Sequence, residues 1–271
     1  MINRNKLAEL AKLYNLRPWQ QEKHYIQTLI LASLAERPLV FKGGTYLWFF
    51  HGLNRFSEDL DFTATGPFPK SFAQGVSASL ALFGVENTLK PISDDDRSLS
   101  FRISAKGPLN SGPRDLCHVY VEISRRERVL SPTVSITLSP DPYGTPAKIL
   151  RGMSLEEVAA EKVRAILTRR KARDAFDLAY LIGRKRAAFN PEIIREKLEW
   201  YKLPFSTAAL SSSLKITGKQ WKKELGPIVF GKLPEFSECA DQILSWAGRQ
   251  QPPPGKPAMT PNPAGSGTPF P

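Results

Sequence analysis

The sequence predicts an α+β protein, a mixed sheet with flanking helices followed by a helical C-terminal part. Three observations carry this. The apolar run Leu39-Val40-Phe41 stops at Gly43-Gly44, which reads as a buried strand ended by a tight turn. Asp59-Leu60-Asp61-Phe62 and the stretch His118 to Ile123 alternate polar with apolar side chains, the period of a strand with one face in a core. From Ser154 to about Gly248 the pattern is helical.

Leu7, Leu10, Ala11 and Leu13 recur at helical spacing as far as Arg17-Pro18, and Tyr25, Leu29, Ala32 and Leu34 mark a second helix from Pro18 to about Glu36. After the Gly-Gly turn, Thr45 leads into Leu47 to Phe50, read as a helix. Residues from about Pro69 to Phe83 are expected to be helical. Two strands follow, near Glu86 to Lys90 and Leu99 to Ser104, joined by the turn Ser93-Asp94-Asp95-Asp96. Val119, Val121 and Ile123 then form the apolar face of another strand, whose polar face carries His118, Tyr120 and Glu122. A Pro-rich crossing (Pro132, Pro140, Pro142, Pro146) leads to Ser154 and Glu157, at the spacing of a capping box. Pro191, Pro204 and Pro227 break the helical part. From Gln250 onward the chain holds eight Pro and three Gly without periodicity, the composition of a disordered tail. The expected organisation is residues 1–150 as a sheet domain with N-terminal helices, 151–249 as a helical domain, and 250–271 as the tail.

A chain of 271 residues with 41% hydrophobic content can bury a real core. Its 38 Lys and Arg against 26 acidic residues give a net charge of +12, which suits an anionic partner such as nucleic acid or a triphosphate, or a merely soluble basic protein. The excess concentrates late: residues 1–150 carry 18 basic and 14 acidic side chains, residues 151–250 carry 19 and 12. Cys117 and Cys239 are too few for a disulfide framework, and three scattered His offer no zinc spacing. A reducing cytoplasm fits. The start, Met1 to Lys6, lacks the apolar run of a signal peptide, and the patch from Leu29 to Leu34 is too short for a bilayer, so a protein without membrane contact is expected.

The chemistry sits in two places. An Asp-x-Asp strand presents Asp59 and Asp61 on one side, two hard oxygen donors of the kind that Mg²⁺ or Mn²⁺ takes. Glu122, on the polar face of another strand, is the candidate third ligand. Gly43 and Gly44 let backbone N–H groups at a helix start approach phosphate oxygens, with Lys42 beside them, Thr45 adding a hydroxyl, and Ser57 either bonding phosphate or starting the strand. That combination serves transfer of a nucleotidyl group from a nucleoside triphosphate, and its order along the chain points to a polymerase-β-type nucleotidyltransferase domain. In the helical part Lys162 falls within the apolar stripe Leu155, Val158, Ala159, Ile166. There it either meets a buried partner or snorkels to water. Asp174 is aimed inward from the next helix, unless Arg173 and Asp177, four residues apart, simply form a helix ion pair. Arg169, Arg170, Lys171 and Arg173 read as RNA-phosphate contacts or as a solvated turn. Asp94, Asp95 and Asp96 read as a loop.

The run Leu39 to Leu47 followed by Arg55-Phe56-Ser57-Glu58-Asp59-Leu60-Asp61-Phe62 resembles the signature of the AbiEii/AbiGii toxin family, which includes the MenT toxins. A second block resembles that family's helical Lys and Arg-Asp motifs: Glu157, Ala160, Glu161-Lys162, Arg164-Ala165, Arg169, Lys171 and Arg173 to Leu178. With the helix around Glu22-Lys23-His24-Tyr25, the likeness covers roughly residues 5 to 185. It implies the toxin half of a toxin–antitoxin or phage-abortive-infection pair, moving NMP from an NTP to the 3′ acceptor end of tRNA and so blocking translation. It further implies a cognate antitoxin, bound directly or not. By this likeness Asp59 and Asp61 hold metal, Lys162 contacts the triphosphate, and Asp174 is an essential acidic residue with Asp177 as its rival. The residues alone also allow transfer to a small molecule or a protein hydroxyl, or a catalytically silent RNA- or nucleotide-binding module.

Overall fold

The computed structural model describes residues 1–139 and 142–248. Pro140 and the tail expected from Gln250 lie outside the described residues. Two helices open the chain, α1 (Arg4–Leu13) and α2 (Pro18–Leu34). Asn3 caps the first by accepting from the Lys6 N–H, and Pro18 occupies the first position of the second, where its missing N–H costs nothing. Strand β1 (Leu39–Lys42) runs straight into α3 (Gly43–His51), and β2 (Leu60–Ala64) returns beside β1. Then come α4 (Phe72–Leu82), β3 (Asn87–Asp94), β4 (Ser98–Ala105) and β5 (Cys117–Ser124).

The Pro-rich crossing contains two strands that the sequence reading did not foresee, β6 (Val134–Leu138) and β7 (Lys148–Gly152), paired antiparallel. Strand β7 lies parallel to β1, and the sheet has seven strands in the order β3-β4-β5-β2-β1-β7-β6. Helices α5 (Leu155–Thr168), α6 (Ala172–Lys185), α7 (Pro191–Glu199), α8 (Thr207–Gly218), α9 (Trp221–Leu225) and α10 (Phe236–Gly248) complete the fold.

Register sorts the sheet's two faces. Phe41, Phe62, Ile123 and Leu99 lie across from one another on β1, β2, β5 and β4, and all are buried. Helices α2 and α4 pack on β5 and β3, and Phe41 stacks on Phe62 with ring centroids 4.9 Å apart. Each such side chain withdrawn from water stabilises the fold by roughly 1.5–3 kcal/mol. The neighbouring row is polar: Lys42, Asp61, Glu122 and Ser100 align across the same strands. Because side chains alternate, this row faces away from α2 and α4. Core packing thus delivers one cation and two carboxylates to a common face.

Candidate active site

That face forms the floor of a cleft of about 430 Å³ between the sheet and helices α5 and α6, a volume typical of small-ligand sites. Gly43 and Gly44 begin α3 at its edge. Gly43 has φ +80, and a Cβ there would lie 2.3 Å from a carboxylate oxygen of Asp61. A Cβ on Gly44 would meet the Arg55 guanidinium at 2.3 Å and the Ser57 hydroxyl at 2.8 Å. Both glycines therefore allow charged side chains to rest against the helix start. No side chain caps α3 at Lys42, so its first N–H groups keep their capacity for an anion. Ser57 lines the cleft. Thr45 does not: it is buried, and its hydroxyl donates to the Asp59 carbonyl, so it positions Asp59 instead of meeting phosphate.

Asp59 and Asp61 both line the cleft and, among the described residues, carry neither an ion pair nor a side-chain hydrogen bond. Burial, with Glu122 and Asp59 nearby, pushes the Asp61 carboxyl up to about 6. Burial and Glu58 raise that of Asp59. Two uncompensated hard-oxygen donors side by side fit a divalent cation. Glu122 fits less well as a third ligand. It shares the row of Asp61, but its half-exposed carboxylate is taken by Arg126 at 3.1 Å, and the described residues contain no three-membered His, Cys, Asp or Glu cluster placed to hold an ion. Its strand β5 is an interior one, flanked by β4 and β2.

Lys162 is buried and does not snorkel. Its Nζ lies 3.1 Å from Asp174 and 2.6 Å from Asp177. Each carboxylate also holds a guanidinium: Arg169 bonds Asp174 through two contacts of 2.8 Å, and Arg55 bonds Asp177 through two of 2.6 Å. Burial acts to raise both carboxyls, yet Lys162 and these arginines outweigh it and hold them below the usual carboxylate range. The ion pair between Arg173 and Asp177 does not form. Asp174 lines the cleft together with Lys162 and Arg169, whereas Asp177 sits behind them on Arg55.

A second network escaped sequence reasoning. Lys42 is already engaged, with Nζ 2.9 Å from Glu161 and 3.4 Å from Glu127. Lys197 from α7 pairs with Glu157 at 2.6 Å and Glu161 at 3.3 Å. Burial would raise the Glu161 carboxyl, but Lys42, Lys197 and Arg164 bring it down to about 2. The Ser154 half of the expected capping box forms, with Oγ accepting from the Glu157 N–H at 3.2 Å. The Glu157 side chain turns away to accept from the Leu130 and Ser131 N–H groups.

Of the basic cluster, Arg169, Lys171 and Arg173 line the cleft, while Arg170 is an exposed residue with φ 53 at the turn between α5 and α6. Tyr120 lines the cleft; His118 is instead bonded to Ser104 on β4 at 2.9 Å. The Asp94 to Asp96 stretch is a strand end and turn, in which Asp95 accepts from the Arg97 and Ser98 N–H groups.

The glycine-started helix α3 and the aspartate strand β2 both line this cleft, the arrangement expected of a polymerase-β-type nucleotidyltransferase. A search of curated proteins finds no match. Among solved structures, the chain is similar to a candidate nucleotidyltransferase from H. pylori (23% identity over 83% of this chain and 91% of that one, TM-score 0.58). It is also similar to JHP933 from Helicobacter pylori (22%, 84% and 90%, 0.54). A third is MenT4, a nucleotidyltransferase toxin from Mycobacterium tuberculosis H37Rv (22%, 86% and 76%, 0.52). At these identities the likeness is one of fold. The model of the nucleotidyl transferase AbiEii toxin family, of type IV toxin–antitoxin systems, matches residues 26–243, and the chain belongs to that family. No described helix is long and apolar enough to cross a membrane.

Proposed function

We propose that the protein is the toxin of a toxin–antitoxin or phage-defence pair that transfers NMP from an NTP to the 3′ acceptor end of tRNA. The observation that carries this reading is the pair of unneutralised carboxylates, Asp59 and Asp61, facing the uncapped start of α3 in a cleft otherwise rich in cations. In the reaction, the RNA 3′ oxygen bonds to the α-phosphorus and the bond to the bridging oxygen of the β-phosphate breaks. Pyrophosphate leaves, and the hydroxyl proton passes to the carboxylate side of the cleft. A divalent ion, Mg²⁺ or Mn²⁺, held by Asp59 and Asp61 would supply charge neutralisation at the phosphates. The N–H groups of α3 and the Ser57 hydroxyl bind phosphate oxygens. Lys162 has three N–H donors and gives two to Asp174 and Asp177, which leaves one for the triphosphate. Residues 151 onward thereby complete a site that the sheet half begins, while Arg169, Lys171 and Arg173 border it for RNA phosphates. The buried free thiols Cys117 and Cys239 accord with a reducing cytoplasm.

Incubation of the purified protein with each labelled NTP and total RNA, with and without Mg²⁺, tests this. Wild type is expected to label tRNA with pyrophosphate release, and Asp61→Ala to lose labelling by about 10³-fold or more. Equal labelling by the two proteins would sink the proposal.

A further inference from the structure

The polar face of the sheet does not stop at the cleft. Next to the row of Asp61 and Glu122 runs a second one, in which Lys90 of β3 aligns with Arg102 of β4 and Arg102 with Tyr120 of β5. The residues beside them on the same strands, Phe101, Ile103, Val119 and Val121, point the other way into the core. Tyr120 is 43% exposed, borders the cleft, and stands two residues from Glu122 on the strand beside that of Asp61. The Arg102 guanidinium lies 5.9 Å from its ring centroid.

Lys90 and Arg102 differ from most cations around the site in being uncommitted, a state they share with Arg173 at the cleft. Lys42, Arg55, Arg126, Lys162, Arg164 and Arg169 each hold a carboxylate. Lys90 and Arg102 have no ion pair among the described residues, and Arg102 Nε, buried from water, has no hydrogen-bond partner. The rest of this face is mostly polar, with Ser98, Ser100 and Ser104 on β4 and His118 on β5; the exposed Ile92 of β3 is a single aliphatic side chain, short of the clustered apolar anchors on which a protein partner depends. An open sheet face bearing one exposed ring and unpaired cations is instead suited to an unstacked base and its phosphates.

We infer that this face is the track for the single-stranded 3′ end of the RNA acceptor, with a base stacked on Tyr120 and phosphates on Arg102 and Lys90, so that the terminal hydroxyl is delivered to the Asp59–Asp61 side of the cleft. This deepens the transfer reading and rests on it. It gives the acceptor an approach over β3–β4–β5, opposite the NTP, which enters between the start of α3 and helices α5 and α6.

The test is direct binding of a short fluorescent single-stranded oligoribonucleotide with a free 3′ hydroxyl to the full chain, over a range of salt concentrations and without NTP. Tyr120→Ala is expected to weaken binding roughly tenfold, the loss of one base stack, and Tyr120→Phe to stay within twofold of wild type. Lys90→Ala and Arg102→Ala should each lower the slope of log affinity against log salt by about 0.7, one phosphate contact apiece. The affinity of Lys90→Ala and Arg102→Ala for NTP should stay unchanged, since neither residue lines the cleft. If Arg102→Ala does not fold, Lys90→Ala on the edge strand and the two Tyr120 variants decide alone. RNA affinity within twofold of wild type in both Tyr120→Ala and Lys90→Ala, as a protein-binding surface would give, overturns the track even if wild type labels RNA. A wild type that binds the oligonucleotide with these dependences but labels nothing leaves the track standing and removes the transfer reading.

Discussion

At the scale of single residues, the site is organised by which charges are compensated. Asp59 and Asp61 stay free because Thr45 fixes the backbone between α3 and β2 and Gly43 gives the Asp61 carboxylate room. Asp174 and Asp177 are the reverse: each is fully buried, and each shares Lys162 with a guanidinium of its own. Lys162→Met should therefore be tolerated better than loss of either carboxylate, since Arg169 and Arg55 still neutralise Asp174 and Asp177. Asp177→Ala strands Arg55, itself 2% exposed, and should cost about 3–5 kcal/mol, the usual consequence of leaving a buried charge alone. Urea unfolding checks this; an Asp177→Ala midpoint equal to that of wild type would refute the paired arrangement. Asp59, Asp61 and Lys162 were legible in the sequence because strand and helix periods place them without knowledge of partners. Arg55 was not. Its partner lies 122 positions away, and that of Lys42 lies 119 away. No local pattern encodes such pairs.

At the scale of elements, the same contrast explains what the sequence reading placed and what it passed over. Strands β2 and β5 show clean apolar patterns because the core covers one of their faces, and helices α1, α5 and α6 show clean stripes for the same reason, whereas β1 is an unbroken apolar run because it is buried on both faces. Strands β6 and β7 are only five residues each; β6 does alternate, with Val134, Ile136 and Leu138 against Ser135 and Thr137, but Pro132, Pro140, Pro142 and Pro146 crowd the segment before and between the two strands, and prolines argue against a paired strand. Helix α5 carries the sharpest departure. Its start has the spacing of a capping box, yet Glu157 is drawn into the core by Lys197 and the 130–131 backbone. Ser154→Ala should accordingly cost about 1 kcal/mol, an ordinary N-cap loss. Glu157→Gln should cost about 3–5 kcal/mol, because it unbalances a buried ion pair. A reciprocal capping box would make the two losses alike, so similar urea midpoints would contradict the buried role of Glu157.

At the scale of the whole molecule, buried charges tie helices α5, α6 and α7 to the sheet, and stability should follow their protonation. Lys42, Lys197 and Arg164 lower the Glu161 carboxyl from its ordinary 4.5 to about 2, and Asp174 and Asp177 are likewise depressed. For carboxylates lowered on folding, the stabilisation is fully present above the unfolded value and disappears as pH falls from about 4.5 toward 2. A separate loss begins earlier. His24, stacked on Phe49 and hydrogen-bonded to Tyr143, is lowered by burial from 6.5 to about 4. An unfolded His24 takes up its proton below 6.5 while the folded one resists until about 4, so stability declines through this window, by on the order of 2–3 kcal/mol. Asp61, raised to about 6, acts in the opposite direction, and the difference between wild type and His24→Gln cancels it. Unfolding free energies measured from pH 7.5 to 4 should converge as pH falls, with wild type losing more than His24→Gln. Parallel curves across that range would mean that His24 is not held neutral by the fold.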